Sequence, residues 1–289
     1  MPQVINTNLA SLNAQRNTAM SQSSLQVSMQ RLSSGLRVNS AKDDAAGLSI
    51  AERMNAQVRG SQVAIRNAND GISLAQTAEG ALSKVGDALQ RMRELAVQSR
   101  NATNTSADKD SLDKEFGELA KEIQRVLGGT TFNGKAVLAT TDAGTQTFQV
   151  GANTTANDRI DIVTTDMTTA TEITTVAGTD NTGAGRAVID NTAAGTAIDT
   201  VITNIDTALD KVNGERATLG ASQNRFDAVI SNLQVAVENQ SASRSRIMDA
   251  DFAQETANLS RAQILQQAGN TMVAQANQLP QQVLALLRS

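Results

Sequence analysis

The chain contains no His, no Cys, no Trp and no Tyr, and only two of its 289 residues are Pro. Each absence removes a kind of chemistry. Without Cys or His, the composition argues against structural zinc, haem and iron–sulfur centres. No Ser-His-Asp triad, Cys nucleophile or His general base can be assembled, and no disulfide can form. Phe is the one aromatic type, at Phe116, Phe132, Phe148, Phe226 and Phe252. The chain therefore lacks most of the large side chains that dominate burial in compact domains, and must bury area by repetition, as long helices do. With 25 basic against 29 acidic residues the formal charge is −4, opposite in sign to the basic stripe of a nucleic-acid binder. No run of about 18 apolar residues is present to span a membrane. Met1-Pro2-Gln3-Val4-Ile5-Asn6 has neither the basic nor the apolar region of a signal peptide, so an exported chain is expected to leave by another route.

What is present is heptad spacing. The first segment reads Ile5, Leu9, Leu12, Arg16, Ala19 and resumes at Leu25, Met29, Leu32, Leu36 after a phase slip, which predicts a stripe that changes side or a helix that is interrupted. A long helix is expected from about Asp43 to Ser99, where Ala51, Met54, Val58, Ile65, Ile72, Leu82, Leu89 and Met92 follow one stripe. Gly60, Gly71, Gly80 and Gly86 lie inside it and serve either close helix approach or tolerated exposed positions. A third helix carries Leu112, Phe116, Leu119, Ile123 and Val126, and Gly128-Gly129 is expected to stop it. Phe132-Asn133-Gly134-Lys135 reads as an Asn-Gly turn. Residues 146–150 and 159–163 alternate as strands do. Thr supplies 18 of the 61 residues from 140 to 200, which marks a β-rich surface insert with a flexible loop from Ala177 to Gly195. Helical pattern returns at Ile198 and keeps four-three spacing through Val237. A last segment runs through Leu265, Gly269, Met272, Ala276, Leu279, Val283 and Leu286, with Pro280 inside it.

Sustained heptads bury their seams on other helices. The pattern predicts a mainly α fold: a long antiparallel coiled-coil helical rod with paired terminal helices and a small β-rich insert. The terminal pair is poor in Leu and Phe, and such helices gain little from propensity alone. They either fold back onto the rod or stay marginal until neighbouring copies complete them.

Motifs for chemistry fail on inspection. Gly178-Thr179-Asp180-Asn181-Thr182-Gly183 has the glycine spacing of a phosphate loop but lacks the following Lys and a helix. Asp43-Asp44 and the Asp249, Asp251 pair lack calcium-loop spacing; Asp43-Asp44 instead suits a helix N-terminus. Asp158 and Asp161 read as solvated turn residues. Arg91, Arg93 and Glu94 read as a solvated charged face or as a contact surface for another protein.

Longer stretches carry a family likeness. Ile5-Asn6-Thr7-Asn8 and the run from Arg31 to Leu48 (RLSSGLRVNSAKDDAAGL) resemble bacterial flagellin, as do Ser245-Arg246-Ile247, Asp249-Ala250-Asp251-Phe252, the run from Ser260 to Gly269 and Leu286-Leu287-Arg288. The likeness covers about the first 140 and the last 90 residues. It implies a non-enzymatic subunit, without cofactor or metal, that self-assembles into a flagellar filament for motility. It is exported unfolded by a type III pathway to an extracellular location. The implied division is 1–42 and 251–289 as the helices of an inner domain, 43–140 and 198–250 as the helical rod, and 141–197 as a short variable insert. The inner assembly seam would use Ile5, Leu9, Leu12, Leu265, Met272, Ala276, Leu279, Val283 and Leu286. Implied partners are further copies of the chain, an export chaperone at the C-terminal helix, and the filament cap and hook-junction proteins. A host Toll-like receptor would contact Arg91, Leu95, Gln98 and Glu115, and a cytosolic sensor Leu286, Leu287 and Arg288. The alternative is a filament–hook junction protein or another coiled-coil binding module. An insert of about 60 residues is too short for the two outer domains of large flagellins.

Overall fold

The computed structural model describes residues 7–139 and 143–286, with side chains described as far as residue 278. The helices are α1 (Leu9–Ser34), α2 (Ala45–Ser99), α3 (Ser106–Gly129), α4 (Thr171–Ala177), α5 (Gly195–Met248) and α6 (Phe252–Leu286). The strands are β1 (Thr131–Phe132), β2 (Lys135–Ala136), β3 (Thr145–Gln149) and β4 (Arg159–Val163). The mainly α architecture with a small β insert is as the heptads predict. The chain forms two compact units, one of Met1–Ala56 with Glu238–Ser289, the other of Gln57–Val237, so that α2 and α5 contribute to both.

In the larger unit, α2 and α5 run antiparallel. Arg100 meets Asp199 at 2.9 Å, Arg93 meets Asp206 at 2.6 Å, and Gly71 lies under Phe226. The stripe of α2 buries Leu74, Leu82, Val85, Leu89, Met92 and Leu95, while α5 answers with Ile198, Ile205, Val212, Leu219 and Phe226. Gly60, Gly71 and Gly80 of α2 divide between their two expected roles. A Cβ on Gly60 or Gly71 would come within 2.8 Å of Ala152 or Phe226, whereas Gly80 is exposed, and Gly86 is buried with nothing within 4 Å of where its Cβ would stand. One layer of this seam is polar: Glu79 faces Arg216 at 3.6 Å and accepts from Gln223 Nε2 at 3.4 Å.

Thr105 opens α3 with a reciprocal capping box to Asp108, a pairing that satisfies two otherwise orphaned donors. The hydrogen bonds from the Thr105 hydroxyl and backbone N–H draw the Asp108 pKa down. Gly128-Gly129 do not stop α3 as expected. Both lie in its last turn, and Thr130 ends it in an extended conformation, with its N–H and its hydroxyl both donating to Val126 O at 3.1 and 2.6 Å. The chain passes straight into β1, so no left-handed residue is needed there. The Asn-Gly turn forms as predicted, with Asn133 and Gly134 both at positive φ (50° and 78°) joining β1 to β2.

Strands β3 and β4 pair antiparallel with Gln146 opposite Ile162 and Phe148 opposite Ile160. Ile160 and Ile162 enter the same core as the helices, and Phe148 meets Phe226 edge-on at 5.7 Å between ring centroids. Helix α4 is not apparent in the sequence. It is one short, Thr-rich stretch that holds because Ile173, Val176 and Ala177 are buried.

The loop expected to be flexible, 177–195, is pinned instead. Arg186 makes a paired contact with Asp113 of α3 at 2.9 and 2.5 Å. The Ile189 N–H donates to the same carboxylate at 2.9 Å, Ser99 Oγ donates to Ile189 O at 2.6 Å, and the Ile189 side chain is fully buried. Burial alone would raise the Asp113 pKa, but the Arg186 guanidinium and the Ile189 N–H outweigh it and hold the carboxyl below its ordinary value.

Candidate assembly and recognition surfaces

The smaller unit is built on the pairing of α1 with α6. Asn8 caps α1 by accepting from Ser11 N–H at 3.0 Å, and Gly35 closes it at φ 71°. A short bridge then ties the two halves of the chain. Arg37 N–H donates to Met248 O at 2.7 Å, Ala250 N–H to Gly35 O at 2.9 Å, and the Arg37 guanidinium to Ile247 O at 2.6 Å. Val38, Ala51 and Met248 close over this bridge as a small core of their own. Asp43 fastens the turn before α2 by accepting from the Ser40 hydroxyl and the Ser40 and Asn39 N–H groups, an arrangement that lowers its pKa. Asp44 caps α2 through Gly47 N–H at 2.7 Å, as its place before a helix suggested.

The facing surfaces of α1 and α6 are not the apolar stripes that the sequence suggests. On α1 the covered positions are Ser11, Ala14, Thr18, Ser21, Leu25, Ser28 and Leu32; on α6 they are Glu255, Leu259, Ala262, Gln266, Gly269, Val273 and Ala276. Both sets keep unbroken four-three spacing. Helix α1 is neither interrupted nor out of phase: Leu25 and Leu32 do lie on the seam, and the apparent slip came from following Leu9 and Leu12 in the first half, where the seam runs through the small residues Ser11, Ala14, Thr18 and Ser21. Asn8 Nδ2 donates to Ala276 O and Ser11 Oγ to Asn277 Oδ1, each at 2.7 Å, and Arg31 faces the buried Glu255 at 3.8 Å. A Cβ on Gly269 would lie 2.6 Å from Thr18 Oγ1. Of the residues expected in the assembly seam, Ala276 lies in this contact. Leu9 (66% exposed), Leu12 (53%), Leu265 (52%) and Met272 (62%) point away from it. Ile5, Leu287 and Arg288 lie outside the described residues, as do the side chains of Leu279, Val283 and Leu286.

This is a thin contact. The fully buried residues of α1 are Ser11 and Ser28, and those described on α6 are Glu255, Ala262 and Ala276. Burying one Leu contributes about 1.5–3 kcal/mol, and among the described residues neither helix fully buries one. Among the described residues, Leu9–Ser34 and Phe252–Leu286 are nonetheless helices, and they pair with each other. What remains incomplete is their outer surface, where Leu9, Leu12, Met20, Val27, Ile264, Leu265 and Met272 are bare. A groove of about 680 Å³ runs beside the seam, bordered by Met20, Val27, Arg31 and Leu265.

The expected receptor residues come together in part. Arg91 of α2 reaches Glu115 of α3 at 2.9 Å and Glu94 at 2.8 Å. Hydrogen bonds to Glu94 and then Glu115 raise its pKa above the ordinary value. Gln98 is exposed on the same helix. Leu95 is not a surface residue: it is fully buried, because it falls on the α2 stripe with Met92 and Ala96. Among the described residues no group of three metal-ligating side chains converges, and no helix is long and apolar enough to cross a membrane.

A helical chain whose end helices close on small residues and leave their large apolar side chains outside is a subunit built to be packed against. Residues 5–143 match the bacterial flagellin N-terminal helical region and residues 202–287 the bacterial flagellin C-terminal helical region. A flagellin of Halalkalibacterium halodurans is 47% identical over 99% of this chain and 100% of its own length. Flagellin D of Vibrio anguillarum is 36% identical over 98% of this chain and 99% of its own. In fold, the chain is similar to a candidate flagellar hook-associated protein from Vibrio parahaemolyticus, with a TM-score of 0.58 over 72% of this chain and all of that one, at 16% identity. The chain belongs to the bacterial flagellin family. It is a structural subunit of the extracellular flagellar filament and serves motility.

Proposed function

We propose that polymerisation proceeds by covering the bare outer face of the α1–α6 pair with the same face of neighbouring copies. The observation that carries this reading is that Leu9, Leu12, Leu265 and Met272 lie outside the pair, whose inside is closed by small and polar side chains with the half-buried Leu25, Leu32, Leu259 and Val273. Buried in a stack of copies, these side chains supply the area that the pair itself lacks. Leu279, Val283 and Leu286 extend the same surface toward the C-terminus in this proposal. The chain leaves the cell unfolded through a type III pathway, with an export chaperone holding the C-terminal helix, and adds beneath a filament cap beyond the hook-junction proteins.

The recognition roles are also proposals. The Arg91–Glu115 pair with exposed Gln98 forms the face read by a host Toll-like receptor, and Leu95 supports that face from the core. Leu286, Leu287 and Arg288 form the end read by a cytosolic sensor. Family membership and 47% identity to a flagellin favour the filament over the hook-junction alternative, since the hook-associated likeness is one of fold alone.

Seeded polymerisation followed by electron microscopy tests the assembly reading. The full chain is expected to elongate seeds, and the Leu9→Ser/Leu12→Ser/Leu265→Ser chain to remain monomeric with its helical content kept. Normal filaments from that variant would reject the reading.

A further inference from the structure

Of the eight methionines, Met1 lies outside the described residues and Met54 is half-buried in α2; the other six divide by place. Met92 and Met167 are fully buried in the larger unit, and Met248 is nearly so beside Val38. Met20 (56% exposed), Met29 (56%) and Met272 (62%) are the ones most open to solvent, and all three lie on the terminal pair. Met20 borders the groove with Val27 and Leu265, and Met272 stands two turns along α6 from Leu265 on the same flank. Met20 and Met272 thus lie among the residues that a neighbouring copy is to cover, and Met29, nine residues on from Met20, is bare on the other flank of α1.

We propose that Met20, Met29 and Met272 form an oxidation site that controls the chain's competence to assemble. This rests on the assembly reading above. The oxidant is a two-electron peroxide. The thioether sulfur attacks one peroxide oxygen, the S–O bond forms as the O–O bond breaks, and the departing hydroxide takes the remaining proton to leave as water. Sulfur is oxidised by two electrons and the peroxide is reduced by two. The product sulfoxide is polar and strongly accepting where the thioether was apolar. At an exposed helix position it is solvated, so the free subunit keeps its fold. Within a subunit contact it loses that water without a designed partner, the situation in which a buried polar group is costly. Assembly in turn shields the sulfurs, so a finished filament resists what a free subunit does not. Enzymatic reduction of methionine sulfoxide would restore competence.

The test treats the full-length monomer with hydrogen peroxide, locates the added oxygen by peptide mass spectrometry, and measures seeded elongation. Met20, Met29 and Met272 are expected to oxidise before Met92 and Met167. Elongation is expected to slow by about tenfold or more, with circular dichroism unchanged. The Met20→Leu/Met29→Leu/Met272→Leu chain, a volume-conserving change, should elongate equally well with and without peroxide. Preformed wild-type filaments given the same dose should show little oxidation at the three positions. Unimpaired elongation of the oxidised wild type would overturn the proposal, as would an equal loss in the triple variant. If the triple variant elongates poorly untreated, protection decides: equal oxidation of the three sites in monomer and filament overturns the proposal, and protection in the filament upholds it. Failure of the untreated wild type to elongate would instead reject the assembly reading.

Discussion

The two units of this chain are both made of long helices, yet they close in opposite ways. The larger unit puts Leu82, Leu89, Phe116, Ile123 and Phe226 inside and charge outside, as a free-standing domain must. The smaller unit puts Ser11, Thr18, Ser28 and Gly269 between its helices and leaves Leu9, Leu12 and Leu265 bare. A seam of small side chains holds two helices close at little gain in burial, and it frees the large side chains for another surface. The same heptad grammar therefore serves a core that is finished within one chain and a pair that is finished between chains.

The contrast can be broken most forcefully in the larger unit. Phe226→Ala removes the ring that covers Gly71 and meets Phe148 edge-on, and is expected to destabilise the monomer by about 3–5 kcal/mol, read by chemical denaturation. Next in size is Gly269→Leu, which forces a side chain against Thr18. Overpacking of this kind costs about 1–3 kcal/mol. The loss should appear as increased amide exchange in α1 and α6 with the larger unit unchanged, and filaments should be lost.

Asp113→Asn should release the 178–194 loop at a cost of about 1–2 kcal/mol. Its folded pKa is depressed, so its contribution is full above the unfolded carboxyl value of about 4 and is lost as pH falls through the lower folded value. Acid titration of wild type should therefore show loop protection falling below about pH 4, and the variant should lack that step. Smallest in the monomer is Leu12→Ser with Leu265→Ser, expected to change stability by less than about 0.5 kcal/mol while abolishing elongation. A large loss of monomer stability from that pair would erase the distinction between the units.

Helix existence was legible from periodicity: α2 begins and ends within two residues of its expected limits and α5 begins within three of Ile198, while α5 runs on past Val237 to Met248. So was the hairpin at Asn133-Gly134, because only a turn with both central residues at positive φ suits that dipeptide. The seam of the terminal pair was not. Hydrophobic spacing does not tell an intramolecular contact from an intermolecular one, and here Leu9, Leu12 and Leu265 lie outside the contact within the chain. A search for small residues at heptad spacing would have found Ser11, Ala14, Thr18 and Ser21 opposite Ala262, Gly269 and Ala276. Leu95 was misplaced as a surface residue for the complementary reason: its motif is read as a string, while burial follows the α2 stripe. The tie between Arg186 and Asp113 joins positions 73 residues apart, and composition alone marked that loop as slack.

The polar layer of Glu79, Arg216 and Gln223 bears on how the long helices find each other. A seam that is apolar throughout tolerates sliding by whole heptads, since one aliphatic layer resembles the next. Placing the Glu79 carboxylate opposite the Arg216 guanidinium gives the two helices a matching notch within the seam, in addition to the exposed Arg93–Asp206 and Arg100–Asp199 pairs. An alignment displaced by seven residues would press Glu79 against aliphatic neighbours and strand its cation a full 10 Å or so away along the axis. Copies required to lock identically in one filament would gain fidelity from such a notch, whatever it subtracts from raw cohesion.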